Sequence, residues 1–287
     1  TLVPVAEAFA IEQTWPHGHV EAVLRMVRAL GLDTRLASKR CRERDLVLAM
    51  IVERLIHPGS KLASALHFDE TTLGDELGVA GADVDELYAA LDWLLARQER
   101  IEQKLAARHL RDGGLALYDL STSFYTGTHC PLARFGHDRD GRTGYPIIAY
   151  GVLTDARGCP VGVSVYPGNT GGPTTVADQA KKLRERFGLR DVLLVGDRGM
   201  LTQTRIDALR AQPGLGWISA LRGPAIRALV ERGALQLSLF DQCNLAEIHS
   251  PDYPGERLVA CFNPLLAEKR RRTRADLLRL HSQLLQL

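Results

Sequence analysis

Two aspartates stand where chemistry is done. Asp119 interrupts the apolar stretch Leu115–Phe124 (LALYDLSTSF). By strand alternation Leu115, Leu117 and Asp119 share one face, and a carboxylate at a core-strand position is costly unless it is paired or binds a metal. Asp197 follows the apolar run Val192–Val195 (VLLV) inside Gly196-Asp197-Arg198-Gly199. That is a carboxyl strand end between two glycines, where open α/β sheets build their sites. If the two strands are neighbours, the carboxylates converge. Two converging carboxylates are a minimal holder for Mg²⁺, a hard ion that prefers oxygen ligands and keeps water. With a third acid they could hold two ions about 4 Å apart, the arrangement that activates water and stabilises the leaving oxygen in phosphodiester cleavage. The bland alternative is an aspartate that caps a helix or closes a turn, and it stays open for Asp197 taken alone.

The elements around these residues change character along the chain. Residues 1–112 read as helices. Val20, Val23, Leu24, Val27 and Leu30 recur at helical spacing, with Gly31 where a C-cap belongs. A second helix is expected from about Glu43 to Ile56, stopped by Pro58-Gly59, and Ser60 is placed to cap a third ending near His67. Asp83 with Glu86 forms a capping-box signature that opens one long helix through Leu87, Leu91, Leu94, Leu95, Ile101 and Leu105. After Gly113-Gly114, strands are expected at Leu115–Phe124, Pro146–Thr154 and Pro160–Tyr166, joined by short turns. A helix (Thr174–Phe187), the VLLV strand, a helix (Thr202–Leu209) and a strand (Gly216–Leu221) follow. The wholly apolar VLLV run predicts burial on both faces. Three strands in succession and then alternating units describe a ribonuclease H-like sheet, since a doubly wound fold would put a helix after the first strand. The expectation is therefore a mixed α/β fold: a helical N-terminal domain over 1–112, a ribonuclease H-like core over 113–222, and a partial β-rich insertion over 223–287. In that last segment Leu235–Leu239, Leu245–His249 and Leu258–Phe262 read as short strands, and Pro264–Leu287 as a basic helix.

Several motifs resemble those of bacterial insertion-sequence transposases of the DDE superfamily. Tyr118-Asp119-Leu120-Ser121-Thr122-Ser123 is similar to their first-aspartate strand, and Val195-Gly196-Asp197-Arg198-Gly199-Met200 to their second-aspartate motif. Phe135-Gly136-His137-Asp138-Arg139-Asp140-Gly141-Arg142 and Tyr166-Pro167-Gly168-Asn169-Thr170 resemble the segments between them. Phe262-Asn263-Pro264 before an arginine-rich helix resembles the branch with an insertion ahead of the third acid. The resemblance covers about residues 20–287. It implies Asp119 and Asp197 as catalytic metal ligands, Mg²⁺ or Mn²⁺ as the ion, and double-stranded DNA, both element ends and target, as the partner. It also implies hydrolysis at the element ends followed by strand transfer. A homodimer would follow from function only, because two ends must meet. The family's third acid, a glutamate in the context Tyr-x-x-Arg-x-x-x-Glu, has no counterpart here, and Glu268 stands among different neighbours. The expectation is a fragment that ends before that glutamate, and a remnant that only binds DNA or dimerises is the alternative.

Composition bounds the remaining choices. The 287 residues are 45% hydrophobic and 24% charged, with a net charge of +2, which is ordinary globular composition and excludes collagen or a disordered chain. No apolar run reaches the roughly 18 residues of a membrane span. Five scattered cysteines without CxxC spacing give neither a disulfide framework nor a cysteine zinc site, and point to a reducing compartment; the resemblance implies the bacterial cytoplasm and its nucleoid. Charge is concentrated at the end: residues 257–287 carry 7 basic and 2 acidic residues, among them Lys269, Arg270, Arg271, Arg272 and Arg274. These, with Arg139, Arg142 and Arg198, are candidate phosphate contacts. A solvated helix face, local pairing with Asp138 and Asp140, or a salt bridge to Asp197 are the competing explanations. A haloacid dehalogenase-like phosphohydrolase would want an aspartate at 121 and another four residues after Asp197, where the chain has Ser121 and Leu201.

Overall fold

The apolar stripe of the first helix, α1 (Gly18–Leu30), buries Val20, Leu24 and Val27 and ends at Gly31, whose φ of 65° is the left-handed conformation a C-cap glycine supplies. The computed structural model describes residues 11, 13–137, 141 and 143–284. The chain divides into two compact units, Thr1–Ile218 and Ser219–Leu287. Among the described residues no helix is long and apolar enough to cross a membrane.

In the first unit, α1 is followed by α2 (Leu32–Leu36), α3 (Arg42–Ile56), α4 (Lys61–His67), α5 (Leu73–Leu77), α6 (Val84–Leu95) and α7 (Gln98–His109). Ser60 accepts from the Ala63 N–H and starts α4, and the Asp83/Glu86 capping box starts α6. Helices α1 to α6 enclose one apolar core that includes Leu24, Leu46, Phe68, Leu73 and Leu87. The single long helix expected from Asp83 onward is broken at Ala96-Arg97. Arg97 folds back over Trp93, 3.9 Å from the ring centroid, and donates to the Trp93 carbonyl. The break lets α7 leave the helical core and join the sheet, where Ala106 and Leu110 are buried.

The sheet has strands β1 (Gly114–Phe124), β2 (Ile147–Asp155), β3 (Pro160–Pro167), β4 (Val192–Gly196) and β5 (Leu215–Ile218), in the order β3-β2-β1-β4-β5. β1, β2 and β3 form an antiparallel meander, and β4 and β5 run parallel to β1. This is the ribonuclease H-like order that the succession of elements predicts, and the antiparallel β1–β2 pair departs from a doubly wound parallel sheet. The crossover from β3 to β4 is α8 (Gly172–Lys181), whose last turn widens into a π turn over Lys182–Arg186, and α9 (Gln203–Arg210) joins β4 to β5. Edge strand β3 is not left open: Gln98 donates to the Val163 carbonyl and Glu102 accepts the Val163 N–H. These bonds occupy the outward backbone groups of Val163, which an edge strand otherwise presents free.

One sheet face carries the core. Ala116, Tyr118, Leu120, Ala149, Leu153, Val192 and Leu194 are buried on it. The opposite face of the same strands holds Leu115, Val163, Val165, Leu193 and Ile218, all exposed. Two expectations are thereby corrected. VLLV is buried on one face only, because Leu193 is exposed beside buried Leu194. Asp119 lies on the exposed face, so it is not a core carboxylate.

In the second unit α10 (Gly223–Glu231) starts on Gly-Pro, a helix-opening signal, where no element was expected. Leu235–Leu239 is not a strand; Leu237–Phe240 forms a 3₁₀ turn instead. β6 (Leu245–Ile248) and β7 (Leu258–Cys261) pair antiparallel, and α11 (Pro264–Leu284) follows.

Candidate active site

The parallel ladder between β1 and β4 pairs Leu117 with Val195 and Tyr118 with Gly196. Asp119 is the next residue on β1, and Asp197 is the first residue after β4. Both line one cleft of about 470 Å³, with Leu117, Tyr118, Val152, Thr154, Val195 and Gly196. The convergence that the sequence made conditional on neighbouring strands is therefore realised.

Each aspartate is held by its own surroundings. Asp119 stands out from the sheet because its neighbours Tyr118 and Leu120 point into the core. Tyr118 is fixed there by a buried hydrogen bond, 2.8 Å, between its hydroxyl and Thr175 of α8. Gly151 makes room for it, since a Cβ at that position would meet the Tyr118 hydroxyl at 2.4 Å. The Asp119 carboxylate accepts the Leu120 N–H at 2.8 Å. Asp197 sits on a tight turn: its carbonyl accepts the N–H groups of Met200 and Leu201, and its carboxylate accepts the Arg198 N–H at 2.7 Å. Met200 and Leu201 are buried in the sheet core and anchor this turn from below. Asp197 is left exposed at the cleft mouth. The alternative reading of Asp197 is thus partly right, since it does organise a turn, and the same turn leaves Asp197 exposed in the cleft that Asp119 also lines.

The other expected residues fall in several places. Arg198 is exposed beside Asp197, and His137 is exposed on the loop after β1. Arg139 and Arg142 lie outside the described residues. Lys269, Arg270, Arg271, Arg272 and Arg274 are exposed on α11 in the second unit, where Glu268 engages Arg271 at 2.6 Å and Arg272 at 3.0 Å. Thr154 and Val152 also line the cleft, although neither stands out in the sequence. The signal for Val152 lies in the antiparallel register, which sets it opposite Asp119.

Two loop motifs meet away from the carboxylates. Arg134 bridges to Ile147, and the Gly168 N–H donates to the Leu132 carbonyl. A Cβ on Gly136 would lie 2.0 Å from the Gly168 carbonyl oxygen, and one on Gly168 would lie 1.9 Å from that of Ile147. Only glycine fits either position, which explains both the Phe135-Gly136 and the Tyr166-Pro167-Gly168 segments.

Two exposed carboxylates in one cleft are hard oxygen donors and suit a hard divalent ion, which commonly takes one or two protein carboxylates with water and substrate oxygens as the rest. Among the described residues no third Asp, Glu, His or Cys gathers with Asp119 and Asp197 to within metal-ligand spacing.

Residues 121–249 match the family model of the transposase DDE domain, beginning two residues after Asp119 and including Asp197. Domains of this family use divalent metal ions. No curated protein matches the chain. Among solved structures it is similar to a piggyBac transposase synaptic complex with hairpin DNA, at 13% identity and a TM-score of 0.36, covering 84% of this chain and 57% of that one. It is also similar to a Mos1 transposase paired-end complex with the left transposon end, at 9% identity and a TM-score of 0.26, covering 80% of this chain and 82% of that one. The chain thus spans little more than half the length of the piggyBac protein it resembles. Residues 121–249, which include Asp197 and the cleft-lining Val152, Thr154, Val195 and Gly196, are thus similar to a transposase DDE domain.

Proposed function

We propose that the chain is the DNA-handling part of a transposase that cleaves the ends of its element and joins them to target DNA. The observation that carries this reading is the meeting of Asp119 and Asp197 in one cleft on the exposed face of the sheet. These two carboxylates would hold Mg²⁺ or Mn²⁺. When bound, the ion supplies charge neutralisation at the phosphate and lowers the pKa of a bound water. The chain's own residues do the positioning. Tyr118 and Leu120 lock β1 into the core so that Asp119 faces outward, and the Met200-Leu201 anchor holds Asp197 at the same height. An open, exposed cleft suits a backbone phosphate better than a small metabolite, because duplex DNA must lie across the surface. The first reaction would be attack of water on an end phosphodiester with departure of a 3′-hydroxyl. The second would be attack of that 3′-hydroxyl on a target phosphodiester, with the target strand's own 3′-oxygen departing as a hydroxyl. The match to the transposase DDE domain supports DNA as the partner. A dimer that pairs two ends and a nucleoid location belong to the same proposal.

Asp119→Asn and Asp197→Asn, each in the full protein, are expected to lower end cleavage by at least about a thousandfold while end binding changes by less than about threefold. Cleavage at wild-type rate in both variants would overturn the assignment. A second reading, end binding without chemistry, is favoured by one observation: no third carboxylate joins the pair among the described residues. Cleavage of end DNA by the unaltered chain with Mn²⁺ decides between the two.

A further inference from the structure

A separate cluster in the helical region has the makings of a metal site. Glu53 lies near the end of α3, His57 just beyond it, and His67 at the end of α4. The turn Pro58-Gly59-Ser60 folds α4 back so that one ligand atom from each of the three side chains lies within 4.8 Å of the others. Glu53 is 1% exposed, and neither of its carboxylate oxygens has a hydrogen-bond partner. A buried carboxylate without a hydrogen bond is costly, and among the described residues only the imidazoles of His57 and His67 lie within ion-pair range of it.

The spacing supplies an explanation. Glu53 Oε1 is 3.6 Å from His57 Nδ1 and 3.4 Å from His67 Nδ1. Both separations exceed ordinary hydrogen-bond lengths. They agree with the edge of a tetrahedron whose centre is about 2.0–2.2 Å from each ligand, roughly 3.3–3.6 Å. The two imidazole rings stand edge to face with centroids 3.8 Å apart, and the Nδ1 atom of each is the one nearest Glu53 Oε1. On the far side of His67, Nε2 is 3.5 Å from Glu70 Oε2.

The other three-residue cluster shows the contrast. His109, Asp155 and Cys159 are also close together, but Asp155 is already satisfied by the N–H groups of Arg157 and Cys159 and by the Arg157 guanidinium. It has no unmet demand for a ligand.

We propose that Glu53, His57 and His67 bind one Zn²⁺ ion, with a fourth position open to water, and that the ion clips the end of α3 to the end of α4. Two imidazoles and one carboxylate select a borderline ion such as Zn²⁺ over Mg²⁺, so this site and the aspartate cleft take different metals. The proposal does not rest on the transposase reading.

The test uses the full chain, stripped with EDTA and then titrated with Zn²⁺. One equivalent should survive gel filtration, and thermal unfolding should shift upward by several degrees. Mg²⁺ should do neither. His57→Asn and His67→Asn should each lower Zn²⁺ affinity at least about tenfold and remove the thermal shift. His57 is largely exposed, so its variant should keep the wild-type circular dichroism and metal-free melting temperature. Asp119→Asn should retain the zinc equivalent. The proposal is overturned if no equivalent is retained, if both histidine variants retain it, or if Asp119→Asn releases it.

Discussion

Single residues in this protein are decided by which hydrogen bonds reach them. Asp155 shows this most clearly. It ends β2, is buried, and collects the N–H groups of Cys159 and Arg157 together with the Arg157 guanidinium. These hold its carboxyl down from its ordinary value of 3.8 to about 2. Because the folded-state value lies below the unfolded one, Asp155 contributes stability in full above about pH 4, and the contribution drains away as pH falls toward about 2. Acid unfolding of Asp155→Asn should therefore be flatter than wild type over that window, while near neutral pH the variant should be the less stable of the two. Identical acid profiles would show that Asp155 is not held this way. Glu53 is the opposite case, a buried carboxylate that no hydrogen bond reaches, and for that reason it points to a ligand. Asp119 and Asp197 are exposed and owe their placement to the backbone beneath them.

At the scale of elements, the strands are one-sided. Leu193 and Leu194 are neighbours on β4, yet Leu194 is 1% exposed and Leu193 38%. Leu194→Ala should cost about 2–5 kcal/mol in chemical denaturation, and Leu193→Ala less than about 1 kcal/mol. Equal losses would mean that the second sheet face is covered in solution. Composition cannot separate these two leucines, because VLLV is equally apolar throughout. Alternation says only that they differ, and the helices packed on one face say which is inside. Local signals elsewhere were legible without the fold. Gly31, Ser60, and Asp83 with Glu86 mark ends and starts of helices through backbone chemistry that needs no distant partner. The break at Ala96-Arg97 was not legible, because the leucine pattern runs through it. What divides α6 from α7 is that they pack in different cores, one helical and one on the sheet.

Across the whole molecule, charge is segregated. The basic run lies on α11 in the unit Ser219–Leu287, apart in sequence from the aspartates of the unit Thr1–Ile218. Within that run Arg271 and Arg272 are both engaged by Glu268. If α11 binds DNA, replacing Lys269, Arg270 and Arg274 together with serine should weaken binding to any duplex alike. The slope of log affinity against log salt should shrink by about 0.9 for each phosphate that is no longer neutralised. An unchanged slope would place the phosphate-binding residues elsewhere. The sequence by itself determined the order of elements from β1 to β5, several helix caps, the two aspartate motifs and their resemblance to DDE transposases, because each is written in local spacing and backbone chemistry. Only the tertiary structure decided that Asp119 faces outward, that β4 lies beside β1 and joins the two aspartates, and that Glu53 meets His57 and His67. Those outcomes depend on strand register and helix packing, which bring together residues that the chain itself keeps apart.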